Sequence, residues 1–431
     1  MNNELSLENM KSALEEMGRK AVSASRVLAV MKTDDKRKLL NAMADAILDD
    51  ASKIKAANAI DLENGKNNGL SSAMLDRLAL DDKRIQGMAD GLRIVAAEDD
   101  PVGKILSSTE RPNGLKIEKI SVPVGVIGII YESRPNVTAD AGGICLMAGN
   151  TVLLRGGSEA FNSNQAIADA MNRAGVSCGL PDGAVQLLPW TDRRAVSLLV
   201  TLDKYVDLII PRGGEGLIRA VTRDATIPVI KHYKGVCHTF VDESADLNKA
   251  LSIVENAKCQ RPGVCNALEC LVVHRSIAEK FLAMLFDKIG EKVKMYGNIE
   301  VRSILKNIEQ EEPDYNMEFL DYAMNIRIVA DVDEAIEHIN TFSSKHSESI
   351  ITECTENAAK FLLQLTPAVF IITLPPALLT AASSAWAQKS VSAPTNFTPA
   401  VRWEQKNLRF TNISFTETVK SVEESKNVLV L

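Results

Sequence analysis

Between residues 122 and 240 the chain repeats one pattern, a short apolar, β-branched run followed by a stretch of helical periodicity. The runs are Val124 to Tyr131, Thr151 to Arg155, Ala184 to Leu188, Leu208 to Ile210 and Val229 to Ile230, with helical stretches such as Asn164 to Arg173 and Arg193 to Thr201 between them. This alternation predicts a parallel sheet with helices on both faces. Such sheets bind ligands at the carboxyl ends of their strands. Two glycine pairs fall there, Gly156-Gly157 and Gly213-Gly214, preceded by Arg155 and Arg212. Glycine lets a backbone approach a phosphate, and a guanidinium supplies charge in a planar fork. Neither pair is a G-x-G-x-x-G run, and each also reads as an ordinary strand-to-helix turn.

A second stretch, Lys258 to Glu269, has the makings of a nucleophile loop. Pro262 fixes one backbone angle and Gly263 permits unusual ones, so the chain can turn sharply before Cys265. A thiol on a tight turn is reachable by a substrate. Arg261 and Lys258 would favour the reactive thiolate, and Asn266 can donate hydrogen bonds. Free cysteines are also often small buried hydrophobes, and local cysteine signatures do not transfer between families, so the loop alone leaves both readings open.

Residues 1–100 read as amphipathic packing helices. Leu39, Leu40, Met43, Ala44, Ile47 and Leu48 recur at helical spacing, with Thr33 or Asp34 as a cap. Further helices are expected around Met74 to Leu80 and Ile85 to Ala97, and turns at Asn64-Gly65 and Asn68-Gly69. Leu115 to Ile120 alternates apolar and charged residues, as an exposed strand does. Residues 243–370 read as a second α/β unit, in which Asp246 to Asn256 is a helix leading to the Cys265 loop. Cys270 to His274 is the strand after it, with His274 structural.

Composition narrows the function classes. A net charge of -7 gives no basic footprint for nucleic acid. Seven cysteines include no C-x-x-C pair, which argues against a zinc site or a redox dithiol and suits a reducing cytoplasm. The mixed, charged start is not a signal peptide.

Several runs then act together: Tyr131 to Thr138, Leu153 to Gly157, Ile210 to Gly214, Gly235 to His238 and Gln260 to Asn266. In combination they resemble the aldehyde dehydrogenase superfamily and, more narrowly, the gamma-glutamyl phosphate reductases of the proline pathway, over about residues 15–370. The resemblance implies an α/β fold of two doubly wound parallel-sheet domains plus a small β-hairpin oligomerisation element. Residues 1–106 and 123–242 would bind the cofactor, 107–122 would form the hairpin, and 243–370 would carry catalysis. It implies Cys265 as nucleophile and Asn136, otherwise a plain turn residue, as oxyanion donor. Arg155, Gly156 and Gly157 would hold the adenosine end of NADPH. Arg212, Gly213 and Gly214 would lie along its diphosphate, and Glu318, in a Glu-Phe-Leu run, would hold the nicotinamide ribose. Arg134 is a candidate for an acidic substrate. The implied substrate is L-glutamate 5-phosphate, and the implied partners are further copies of the chain and a glutamate 5-kinase. No metal, nucleic acid or membrane is implied. Aldehyde-oxidising relatives carry a water-activating Glu in a Glu-Leu-Gly-Gly run, whereas the stretch here reads Lys234-Gly235-Val236-Cys237. The other readings are a different acyl-phosphate or aldehyde dehydrogenase of the same fold, and an impaired gene product.

The last reading comes from the C-terminal part. The last glycine is Gly297, no aspartate follows Asp333, and Phe361 to Gln388 carries no charge. That uncharged stretch invites a membrane reading, but Pro375-Pro376 and the many Ser, Thr and Ala residues make a poor span. Ile372 to Leu378 can be encoded ATA ACG CTT CCA CCC GCT TTA. Regrouped by one base, the same nucleotides read Asn-Ala-Ser-Thr-Arg-Phe, the family's substrate-loop motif. Regrouping through Gln388 continues as Thr-Asp-Gly-Gly-Glu-Phe-Gly-Leu-Gly-Ala, and it restores the missing glycines and aspartates. Residues 371–431 are therefore expected to be an out-of-frame translation of the family's C-terminal segment.

Overall fold

The computed structural model describes residues 7–230, 234–367, 369–373 and 428–430. The segment expected to be out of frame lies outside the described residues apart from 371–373 and 428–430. The chain divides into two compact units, residues 1–233 and 234–431.

The first unit opens with helices α1 (Leu7–Leu28), α2 (Thr33–Asp49), α3 (Ala51–Asn67), α4 (Ser72–Leu78) and α5 (Asp82–Ala97). In α1 the buried positions Met10, Leu14, Gly18, Ala21, Ala24 and Leu28 fall three or four apart, the spacing that puts them on one helical face. Two expectations fail here. The N-cap of α2 is Lys32, with no side-chain cap, because the Thr33 hydroxyl donates to Asp100 Oδ2 at 2.9 Å instead. Asn64-Gly65 lies inside α3 and is not a turn. Its glycine gives room to the chain that follows, since a Cβ on Gly65 would meet Leu70 Cδ1 at 2.9 Å.

Strands β1 (Ile105–Glu110) and β2 (Lys116–Ile120) pair antiparallel as a hairpin exposed along its whole length. The remainder alternates β3 (Val126–Tyr131), α6 (Asn136–Met147), β4 (Thr151–Arg155), α7 (Phe161–Ser177), β5 (Val185–Leu187), α8 (Arg194–Leu199), β6 (Leu208–Arg212) and α9 (Glu215–Asp224). The four strands form a parallel sheet of order β5-β4-β3-β6. Val229 adds only an isolated bridge to Ile209. The β3 run is buried at every position, as a sheet covered on both faces requires.

The second unit runs β7 (Cys237–Val241), α10 (Leu247–Cys259), β8 (Leu268–His274), α11 (Arg275–Ile289), β9 (Lys294–Gly297), α12 (Ile299–Ile304), β10 (Ala323–Val329), α13 (Val332–Phe342), β11 (Ser347–Ile351), α14 (Thr355–Gln364), β12 (Val369–Thr373) and β13 (Val428–Val430). Its sheet has the order β13-β12-β11-β7-β8-β10-β9, parallel except for β13. Alternate residues of β8 serve two cores. Leu271 and Val273 join one with Phe281 and Leu285 of α11, while Cys270 and Val272 join another with Ile336 and Ile339 of α13. The expected cofactor-domain boundary at 242 is too late. β7 hydrogen-bonds to both β8 and β11, so it belongs to the second sheet and the division falls after residue 233. His274 caps α11 by accepting from Ser276 N, which is the structural role expected of it. Among the described residues no helix is long and apolar enough to cross a membrane.

Candidate active site

In the first unit the expected residues gather at the carboxyl ends of β3, β4 and β6. The chain leaves β3 through Ser133, a non-glycine residue at φ 32°. Both the Ser133 N–H and its hydroxyl donate to Glu159 Oε1 at 2.7 Å, which holds this unfavourable conformation. Asn136 is the first residue of α6, and its Nδ2 donates to Asp140 Oδ2 one turn later at 2.8 Å. Burial pushes the Asp140 carboxyl up to about 6, against the Asn136 hydrogen bond and the nearby Arg212 charge. With one amide N–H spent on Asp140, the orientation of the Asn136 side chain is fixed and its second N–H remains for another acceptor.

Arg155 closes β4, and its guanidinium donates to the Thr191 carbonyl at 2.7 Å. Its Nε is buried without a hydrogen-bond partner, and burial lowers its pKa. An orphaned guanidinium N–H at a strand end fits an anionic ligand oxygen. Gly156 has no room for a side chain, since a Cβ there would meet Asn164 Nδ2 at 2.1 Å. The Gly213-Gly214 turn has a carboxylate of this chain beside it. The Gly214 N–H, ahead of α9, donates to Glu132 Oε2 at 2.8 Å. Glu132, Glu159 and Asp140 were not singled out in the sequence. Only Asp140 carries a local signal, standing one helical turn from Asn136.

In the second unit Cys265 lies half-buried in a double turn between α10 and β8. Gly235 abuts this loop so closely that a Cβ on it would come within 1.9 Å of the Cys265 carbonyl oxygen. The same carbonyl accepts from the buried Cys237 thiol at 3.3 Å. The Gly235 N–H donates to Glu318 Oε1 at 2.8 Å, so Glu318 lies against the segment before β7 that abuts the Cys265 loop. Lys258, expected to favour the Cys265 thiolate, has a carboxylate partner of its own. It is fully buried at the end of α10 with Nζ 3.2 Å from Glu269 Oε2. Glu269 also accepts from the Phe319 and Leu320 N–H groups at 3.2 and 3.3 Å. Burial raises the Glu269 carboxyl to about 7 and lowers the Lys258 ammonium. Leu320 is held at φ 52° and the Phe319 ring stacks on Tyr296, so the Glu318-Phe319-Leu320 run is clamped on both sides.

Two α/β units carrying a cysteine on a strand-flanked double turn define an enzyme of the aldehyde dehydrogenase class. The model of the aldehyde dehydrogenase family matches residues 7–306. An acetylating aldehyde dehydrogenase from Geobacillus thermoglucosidasius shares the fold, with a TM-score of 0.60 at 18% identity over 85% of this chain and 87% of that one. Within the class, this chain belongs to the gamma-glutamyl phosphate reductase family. It is 49% identical to the gamma-glutamyl phosphate reductase of Halothermothrix orenii, over 82% of this chain and 85% of that protein. It is likewise 49% identical to that of Moorella thermoacetica, over 84% and 88%. The crystal structure of the Thermotoga maritima gamma-glutamyl phosphate reductase superposes with a TM-score of 0.79 at 43% identity, over 84% of this chain and 87% of that one.

Proposed function

We propose that the chain carries the machinery to reduce L-glutamate 5-phosphate to L-glutamate 5-semialdehyde, with Cys265 as nucleophile and Asn136 as oxyanion donor. The observation that carries this reading is the Cys265 loop itself, braced at its two ends by Lys258 and Glu269 and abutted by the side-chain-free Gly235. The Cys265 thiolate attacks the acyl carbon, the carbonyl electrons move onto oxygen, and phosphate leaves as the tetrahedral adduct collapses to a thioester. The Asn136 N–H not held by Asp140 supplies a fixed donor for the developing oxyanion. Arg155, Gly156, Gly157, Arg212, Gly213, Gly214 and Glu318 would hold NADPH, which when bound would supply the hydride that reduces the thioester. The thiohemiacetal then releases aldehyde and returns the cysteine. The stretch Lys234-Gly235-Val236-Cys237, which stands where aldehyde-oxidising relatives carry Glu-Leu-Gly-Gly, supplies no carboxylate to activate water, so the thioester would be preserved for reduction. The exposed hairpin β1–β2 supports a homo-oligomer, because an exposed strand edge calls for a partner. The intact family enzyme would act beside a glutamate 5-kinase in the cytoplasm.

We also propose that the written chain is impaired, because residues from about 371 are read one base out of frame. The regrouped codons support this by restoring the glycines and the Asn-Ala-Ser-Thr-Arg-Phe run. NADPH oxidation with glutamyl phosphate tests both readings. The written chain should show little or no turnover, and a chain with the frame restored after residue 370 should be active. In the restored chain Cys265→Ser should abolish turnover while Cys259→Ser keeps most of it. A restored, folded chain that turns over normally without Cys265 would remove the thioester mechanism. A fully active written chain, with its gene sequence confirmed, would remove the frame-shift reading.

A further inference from the structure

We propose that the second unit contains a buried zinc site, with Cys270 Sγ and one ring nitrogen each of His238 and His338 as ligands. The sheet and one helix build it. His238 on β7 is paired in register with Cys270 on β8 and, on its other side, with Glu348 on β11. These three side chains stand abreast, and α13 contributes His338 to the same cluster. The three ligand atoms lie within 4.8 Å of one another, and all three residues are buried.

One of the three spacings matches a tetrahedral ion, and the other two lie within 4.8 Å. Cys270 Sγ is 3.6 Å from His338 Nε2. Bonds of about 2.3 Å to sulfur and about 2.0 Å to nitrogen at a tetrahedral angle put those atoms about 3.5 Å apart. The state of His238 carries the argument further. It is fully buried, and neither ring nitrogen makes a well-aligned hydrogen bond, although Cys270 and Glu348 stand beside it. Buried polar groups are nearly always well satisfied, so an imidazole this poorly aligned with its neighbours calls for a better-placed partner. Glu348 Oε2 lies 3.3 Å from Nδ1, out of hydrogen-bonding alignment. A small turn of the ring would complete a carboxylate–histidine–metal arrangement, with Nε2 on the ion. One thiolate and one carboxylate balance a divalent charge, and the mixed sulfur and imidazole donors select zinc over magnesium or calcium. The Tyr315 and Phe342 rings lie 4.7 and 4.8 Å from the His338 ring and shield the cluster on that side. Its ligands are spread over 238, 270 and 338, which is why the absence of a C-x-x-C pair in the sequence did not reveal it.

The test uses the full chain from zinc-supplemented culture, dialysed and analysed for metal, and the same chain refolded with cobalt. About one zinc per chain is expected, with a thiolate-to-cobalt charge-transfer band in the cobalt form. Cys270→Ser should abolish the band, and Glu348→Gln, which leaves all three ligands in place, should weaken zinc binding about tenfold or more. Cys237→Ser and Cys265→Ser should keep the band. Should Cys270→Ser fail to fold, stripping zinc from the unaltered chain with a chelator should lower its melting temperature, and added zinc should restore it. A folded, unaltered chain that binds neither metal, or a Cys270→Ser chain with undiminished zinc, would overturn the site and leave a plain thiol–imidazole hydrogen bond.

Discussion

Lys258 Nζ stands 3.2 Å from Glu269 Oε2 with neither side chain exposed, and the residues between them in sequence are the loop that carries Cys265. The pair ties the end of α10 to the start of β8, so the nucleophile hangs from a closed base. Through its bonds to Phe319 and Leu320, Glu269 also fixes the run that bears Glu318.

Removing either partner strands a buried charge, which costs about 3–5 kcal/mol. Glu269→Leu should cost more than Lys258→Met, because it also orphans two N–H groups. Urea unfolding of the two variants and the double variant measures the difference. Equal losses would mean that the Phe319 and Leu320 bonds contribute nothing.

Gly235→Ala places a methyl group 1.9 Å from the Cys265 carbonyl oxygen, a backbone atom that can yield only by moving the loop. A loss of about 1–3 kcal/mol in stability is expected. In the frame-restored chain, turnover should fall by at least tenfold, while binding of the cofactor to the first unit is little changed.

Arg155→Ala should weaken NADPH more than NADH, since the orphaned guanidinium N–H suits the extra phosphate. Fluorescence titration with both cofactors decides the matter, and parallel losses would remove Arg155 from that role.

Asp140 gives stability a pH dependence. Its folded pKa, about 6, lies above the ordinary 3.8, so the neutral carboxyl is favoured in the folded state. The contribution is fully present below about pH 4 and is lost as pH rises through about 6, an effect on the order of 1–3 kcal/mol. Asp140→Asn should flatten that slope, read as the difference between variant and unaltered chain in urea unfolding at pH 4.5 and 7. An unchanged slope would place the titration elsewhere.

The first sheet was legible because β3, β4 and β6 are apolar runs broken by turn residues, and tertiary context only trimmed their ends. The domain boundary was not. Cys237 to Val241 is the same kind of run as the strands before it, and only its hydrogen bonds to β8 and β11 assign it to the second sheet. Cys265 and Gly235 could be singled out as residues, but their closeness could not, since it arises from packing across 30 positions of sequence. The acids that bind the loops were hidden for a related reason. Glu132, Glu159 and Glu269 carry no signal in sequence, and only the folded backbone presents N–H groups for them to accept.

The fit of Gly235 against the nucleophile loop bears on how this scaffold can diversify. A reductase of acyl phosphates and a hydrolase of thioesters differ chiefly in whether a base can reach water beside the cysteine. In the stretch Lys234-Gly235-Val236-Cys237, position 235 itself has no space for a carboxylate, since any Cβ there meets the Cys265 carbonyl oxygen. A lineage that keeps this contact therefore keeps glycine at 235, and a water-activating base has to enter from a neighbouring position.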